Sequence, residues 1–169
     1  MDQFLEALGM KSVDPLGLAI DIGILLLAFL FALPVGWDRE RSTRTMGVRT
    51  FPLVAVAACG FVMLGREVFG DDGSAHARLL QGLMTGVGFL GGGAILKNGN
   101  RVHGTATAAS IWGTAAIGAA AAHGRFEIAI VLSALCFVLL RFMKPLKSDE
   151  KADEGPASTG AEGEAAAAE

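Results

Sequence analysis

Long apolar runs separated by short charged clusters limit what this chain can become more than any other feature. The runs cover residues 16–35, 50–64, 79–96, 105–122 and 126–143, and most of the charges collect between them. A bilayer core of about 30 Å needs roughly 20 apolar residues per helical crossing. Several runs approach that length, and the overall composition, 52% hydrophobic with a mean hydropathy of +0.49, agrees. The pattern predicts an all-α integral membrane protein of about five transmembrane helices, a Gly/Ala-rich helical bundle. The second run is short, so it extends to either side or sits tilted behind its neighbours. Three segments follow: a polar N-terminal stretch over 1–15, a transmembrane domain over 16–146, and an acidic, alanine-rich tail over 147–169. The tail has too little apolar surface to offset its ordering entropy, so disorder is expected there. Asp14-Pro15 reads as a helix start. Only Lys11 precedes the first run and most positive charges follow it, as in a retained helix rather than a signal peptide.

Lys and Arg placement sets an orientation. With the N-terminus outside, ten of the fourteen basic residues fall in cytoplasmic segments, and only Lys11, Arg66, Arg78 and Arg125 fall outside. The expected place is therefore a bacterial inner (plasma) membrane, crossed several times, with a cytoplasmic C-terminus. A net charge of −3 and the lack of a basic stripe with interleaved aromatics argue against a nucleic-acid partner. No nucleophile and base converge in a recognisable motif, so no enzymatic activity is expected.

Glycine is the strongest local signal. Between Gly82 and Ala94 lie six glycines: Gly82, Gly86, Gly88, Gly91, Gly92 and Gly93. Their spacing gives small-xxx-small faces for close helix packing or partner contact. Alternatively, the triple glycine breaks the helix where it lines protein or a watery cavity. Asp21 lies about five residues into the first run, roughly 7.5 Å by helical rise. A carboxylate there needs a partner, a proton or water, which makes it a candidate ion or proton site. Asp38 and Glu40 are the other candidates. They lie among Arg39, Arg41, Arg44 and Arg49, a charged cytoplasmic network that reads first as ion pairs between helix ends. Cys59 and Cys136 read as packing residues. No ligand spacing links His76, His103 and His123, although His76 and His123 share one side and form a conceivable pH-sensing pair. Trp37 suits an interface, and Trp112 reads as a space-filler between helices. R-x-x-G-x-x-T occurs at 44–50 and again at 101–107, which opens the reading of a repeat of two helix hairpins with a shared site between them.

Several motifs in order resemble the transmembrane domain of the MgtC/SapB family over roughly residues 16–143. They are Gly36-Trp37-Asp38-Arg39-Glu40, Met46-Gly47-Val48-Arg49-Thr50 with Leu53-Val54-Ala55, and Gly86-Val87-Gly88-Phe89-Leu90-Gly91-Gly92-Gly93-Ala94-Ile95. Gly104-Thr105-Ala106-Thr107-Ala108-Ala109-Ser110-Ile111-Trp112 and Ala116-Ile117-Gly118 complete the set. The family usually has Glu-Arg where this chain has Asp38-Arg39, and often an Ala where it has Gly92. Many members also carry a soluble C-terminal domain, whose role does not carry over to the acidic tail. The resemblance implies a membrane protein linked to magnesium limitation, acid stress or intracellular survival, hence virulence-related. It also implies action on membrane machines such as the ATP synthase through helix contacts. Gly104, Thr107 and Trp112 join the glycines as packing or contact residues. The first expectation is a non-catalytic regulator in contact with membrane lipid. The alternative is a transporter or channel for magnesium or another ion that uses the membrane carboxylates. No motif calls for a cofactor, and magnesium is the one ion the resemblance brings in. Glycine faces on two helices also predict a homo-oligomer, in the simplest case a dimer.

Overall fold

The computed structural model describes residues 14–42, 46–98 and 101–142; the polar segment before residue 14, Arg44 and the acidic tail lie outside them. Within these residues the chain forms five helices and one small hairpin. They are α1 (Pro15–Ser42), α2 (Thr50–Phe69), α3 (Gly73–Gly93), β1 (Leu96–Asn98), β2 (Arg101–His103), α4 (Thr105–Ala122) and α5 (Phe126–Phe142). α1 and α2 are long and apolar enough to cross a membrane.

Local chemistry sets the boundaries. Asp14 caps α1, its carboxylate accepting from the Leu16 and Gly17 amides at 3.2 and 3.0 Å, with Pro15 at the first helical position. α1 does not stop at Pro34, where its apolar run thins, but continues to Ser42. Pro34 has no N–H to return to the Leu30 carbonyl. At the next carbonyl, Phe31, the Ser133 hydroxyl of α5 donates at 2.6 Å, so a neighbouring helix ties down the disturbed turn. α2 runs past its apolar stretch to Phe69. α3 begins under Asp72, whose carboxylate accepts from the Ser74 and Ala75 amides. The triple glycine closes α3 rather than interrupting it, since the helix ends at Gly93. The short segment between the third and fourth apolar runs forms an antiparallel pair, Leu96 opposite His103 and Lys97 opposite Val102.

α4 is the hub. It packs against all four other helices, most extensively against α2, while α3 sits at the edge on α4 and α2. Alanine and glycine let neighbours come close to its backbone. A Cβ on Gly118 would stand 2.0 Å from the Ala55 carbonyl oxygen, and one on Gly113 would stand 2.6 Å from Cys136 Sγ. Ser110 and Thr114 are buried yet satisfied, their hydroxyls donating to the Thr107 and Ser110 carbonyls at 2.8 Å. Val35, Phe51, Val87, Ile111, Ile117 and Ala129 form the main cluster between helices.

The outside is more apolar than water would tolerate. Leu16, Leu26, Leu30, Leu53, Phe61, Phe89, Val131, Leu135 and Leu139 all face outward. Such a surface suits lipid, and the chain is a helical membrane protein. The two R-x-x-G-x-x-T matches sit differently on their helices. Thr50 opens α2 three residues after Gly47, whereas Gly104 itself caps α4 and Thr107 is buried inside it.

The contact at Gly118 generates a contrast. Gly118→Ala should destabilise the bundle by about 1–3 kcal/mol through forced separation of α2 and α4. Gly82→Ala, where an added Cβ meets no atom within 4 Å, should leave stability unchanged or slightly raised. Thermal unfolding of both variants in one detergent checks this.

Candidate functional site

α1 carries carboxylates at both ends, and the two ends are built differently. Asp38 follows Asp21 by seventeen positions, roughly 25 Å along the helix. The structure therefore does not gather Asp21, Asp38 and Glu40 into a single site. Among the described residues, no group of three or more His, Cys, Asp or Glu side chains could hold a metal ion.

At the C-terminal end of α1, Arg39 Nη2 donates to Asp38 Oδ2 at 2.6 Å, and both residues are only 4% exposed. Glu40, one turn beyond Gly36, reaches across to the connection between α1 and α2, and its Oε2 accepts from the Val48 amide at 3.0 Å. That contact explains two glycines. A Cβ on Gly47 would fall on the Glu40 carboxylate, and one on Gly36 would press the Val48 backbone at 3.2 Å. Arg41 lies over the Trp37 ring, 5.0 Å from its centroid, on the exposed side. Arg49 is exposed immediately before α2. The cluster thus divides into a buried ion pair, a carboxylate clamp on a turn and an exposed cation–π pair.

At the other end, Asp21 borders a cavity of about 720 Å³. α1 contributes Ile20, Asp21 and Ile24; α2 contributes Met63, Arg66 and Glu67. Asp71, His76 and His123 complete its polar wall. Arg66 Nη1 donates to the Ala122 carbonyl at 2.7 Å, placing a cation at the C-terminus of α4 where the helix dipole favours one. His76 Nε2 donates to the Gly70 carbonyl at 2.7 Å. His76 and His123 therefore line one space, as their shared side in the sequence suggested. Arg66, Glu67 and Asp71 had no such signal, because only the ends of α2 and α3 meeting α4 bring them there. Desolvation, then the charges of Arg66 and His76, hold His123 below the ordinary histidine range. Asp72, beside the cavity, is held below the usual carboxylate range by the Ser74 hydroxyl and the Ala75 and Ser74 amides.

The glycines divide by face. Val87 and Gly91 meet the bundle, Gly91 against Ala108 and Trp112. On the opposite side lie Gly82, Gly86, Phe89 and Gly93, with Phe89 82% exposed. A Cβ added at Gly82, Gly86, Gly88, Gly92 or Gly93 would meet nothing within 4 Å. Trp112 does not fill the interior. It is 42% exposed and borders a shallow apolar groove with Met84, Thr85 and Gly88. Gly104 is demanded by its backbone: φ is +89°, and a Cβ would stand 1.9 Å from the Ala94 carbonyl oxygen.

Two predictions follow from the ends of α1. Arg39→Ala removes the guanidinium that meets buried Asp38 at 2.6 Å and should cost about 3–5 kcal/mol, whereas Arg41→Ala should cost about 1 kcal/mol or less; denaturation in mixed micelles compares them. His123 should titrate below the ordinary value of about 6.5. The fold favours its neutral ring, so that contribution to stability is intact above the ordinary value and lost as pH falls through the depressed one. NMR of the ring reads the pKa, and Arg66→Gln should raise it only in part, because desolvation comes first.

Residues 25–149 match the model described as the MgtC family. Protein SrpB of Synechococcus elongatus is 38% identical over 135 residues, 73% of this chain and 74% of that protein. Protein MgtC of Brucella abortus is 37% identical over 119 residues, 70% of this chain and 49% of the relative. The protein named putative magnesium transporter YhiD of Escherichia coli K12 is 31% identical over 128 residues, 72% of this chain and 60% of its own length. The chain thus spans about half the length of the Brucella relative and more of the other two. No solved structure matches. With the family model covering most of the sequence, the helical bundle with its Asp38–Arg39 pair and glycine-rich third helix belongs to the MgtC family.

Proposed function

We propose that this protein is a non-catalytic regulator of the bacterial inner membrane, acting through α3 on the helices of a membrane partner. It crosses the membrane with its N-terminus outside and its C-terminus in the cytoplasm, and it serves under magnesium limitation, acid stress or intracellular survival. One observation carries the reading. The face formed by Gly82, Gly86, Phe89 and Gly93 is turned away from the bundle, and no atom of the described residues occupies the space beside its glycines. In lipid, where apolar surface alone drives no association, a glycine face gives a second helix the close backbone approach it needs. The proton-driven ATP synthase is the partner to test first, and the same face pairs two copies into a dimer. Co-purification from membranes, with native mass spectrometry of the product, tests the proposal. Gly86→Leu should abolish recovery of the synthase and of the dimer without lowering the melting temperature; recovery equal to wild type sinks the reading.

The cavity beside Asp21 supports a second reading, a transporter or channel for magnesium or another ion, in line with the name of the Escherichia coli relative. Ion flux into liposomes should then disappear in the Asp21→Asn, Asp38→Asn, Glu40→Gln triple variant. Flux that survives removes the carboxylate route.

A further inference from the structure

The cavity at the Asp21 end combines three kinds of wall that one ligand class answers together. Asp21, Glu67 and Asp71 supply carboxylates, Arg66 supplies a guanidinium, and Ile20, Ile24 and Met63 supply an apolar side. α2 and α4 both end here, so their C-terminal dipoles add to the preference for a cationic group. Arg66 is anchored through one nitrogen on the Ala122 carbonyl, which holds its fork in place at the rim.

Depth in the membrane narrows the ligand further. Asp21 and Asp38 are separated by roughly 25 Å along α1, close to the thickness of a hydrocarbon core. Trp37, 58% exposed beside Asp38, marks the boundary at that end as interfacial tryptophans do. The opposite boundary, about 30 Å back along α1, falls near the exposed Leu16. Asp21 therefore lies about 7.5 Å inside it, and the cavity, reaching from Asp21 to Asp71, opens where headgroups meet acyl chains. Ile20, at its edge, is exposed toward the acyl region.

We propose that this cavity binds the zwitterionic headgroup of a phosphatidylethanolamine lipid, with the phosphate on Arg66 and the ammonium between Asp21 and Asp71. An ammonium with three N–H donors suits acceptor-only carboxylates. A guanidinium fork suits a phosphate, and the glycerol and first acyl carbons lie along Ile20, Ile24 and Met63. An anionic headgroup of phosphatidylglycerol type could set its phosphate on Arg66 but carries no ammonium for Asp21 and Asp71. A trimethylated headgroup keeps the charge but has no N–H to donate. The site does not depend on the α3 face, and either can fail alone.

Native mass spectrometry of the full chain, released from nanodiscs of equal phosphatidylethanolamine, phosphatidylcholine and phosphatidylglycerol, tests the assignment. Phosphatidylethanolamine should be retained at least fivefold over each of the others. Asp71→Asn, in an exposed connection, and Asp21→Asn should each lower that preference severalfold with an unchanged melting temperature. Equal retention of the three lipids, or a preference that survives both substitutions, overturns the proposal. Soluble phosphoethanolamine, added at matched concentration, should bind more weakly than the lipid; equal binding would overturn the lipid as its source.

Discussion

The approach of α4 to the backbone of its neighbours is the constraint on which the rest of the bundle depends. At Gly118 the Ala55 carbonyl occupies the place a side chain would need, and at Gly113 Cys136 does so. A helix in lipid gains little from burying leucine against leucine, so association rests on dispersion at short range and on satisfied polar groups. α4 meets both needs with alanine, glycine and hydroxyls that return to their own backbone. Because it touches every other helix, its small residues set the spacing of the whole. Ser133 adds a polar tie from α5 to the turn of α1 disturbed by Pro34.

Electrostatics is arranged along α1. At one end Asp38 and Arg39 are withdrawn from solvent together, and Glu40 fastens the following turn through the Val48 amide. Charges placed there are committed to structure, since a buried charge becomes costly when one of its partners is removed. At the far end the carboxylates and histidines border open space, with Arg66 on the Ala122 carbonyl and His76 on the Gly70 carbonyl at two helix ends. Charges beside a cavity are placed where a ligand can meet them. That asymmetry separates a rigid end from a receptive one on a single helix.

Glycine serves two opposite purposes in this molecule. In α4 it removes side chains where another backbone must come, so its effect is consumed within the fold. In α3 most glycines look outward, and their missing side chains leave room that the chain itself does not fill. An edge helix with an unfilled face is the natural place for a second helix to join, which is why the regulatory reading rests there.

The sequence by itself determined the class and most of the elements. Apolar run length announced the helices, Asp14-Pro15 announced the start of α1, and the fourth run matches α4 in both bounds. The motifs of the family were also legible, because they are local strings of unusual composition. The continuation of α1 through Pro34 was not legible, since proline removes a helical donor and only packing brought Ser133 to the adjoining Phe31 carbonyl. The division of the glycines was equally hidden: periodicity shows that a face is small, but only packing shows whether it is covered. The separation of Asp21 from Asp38 could be counted along the helix. The gathering of Arg66, Asp71, His76 and His123 around Asp21 could not, because these residues come from helix ends far apart in sequence. Local composition fixes secondary structure through short-range physics, whereas a cavity exists only once distant helices have met, and that meeting was decided by the tertiary structure alone.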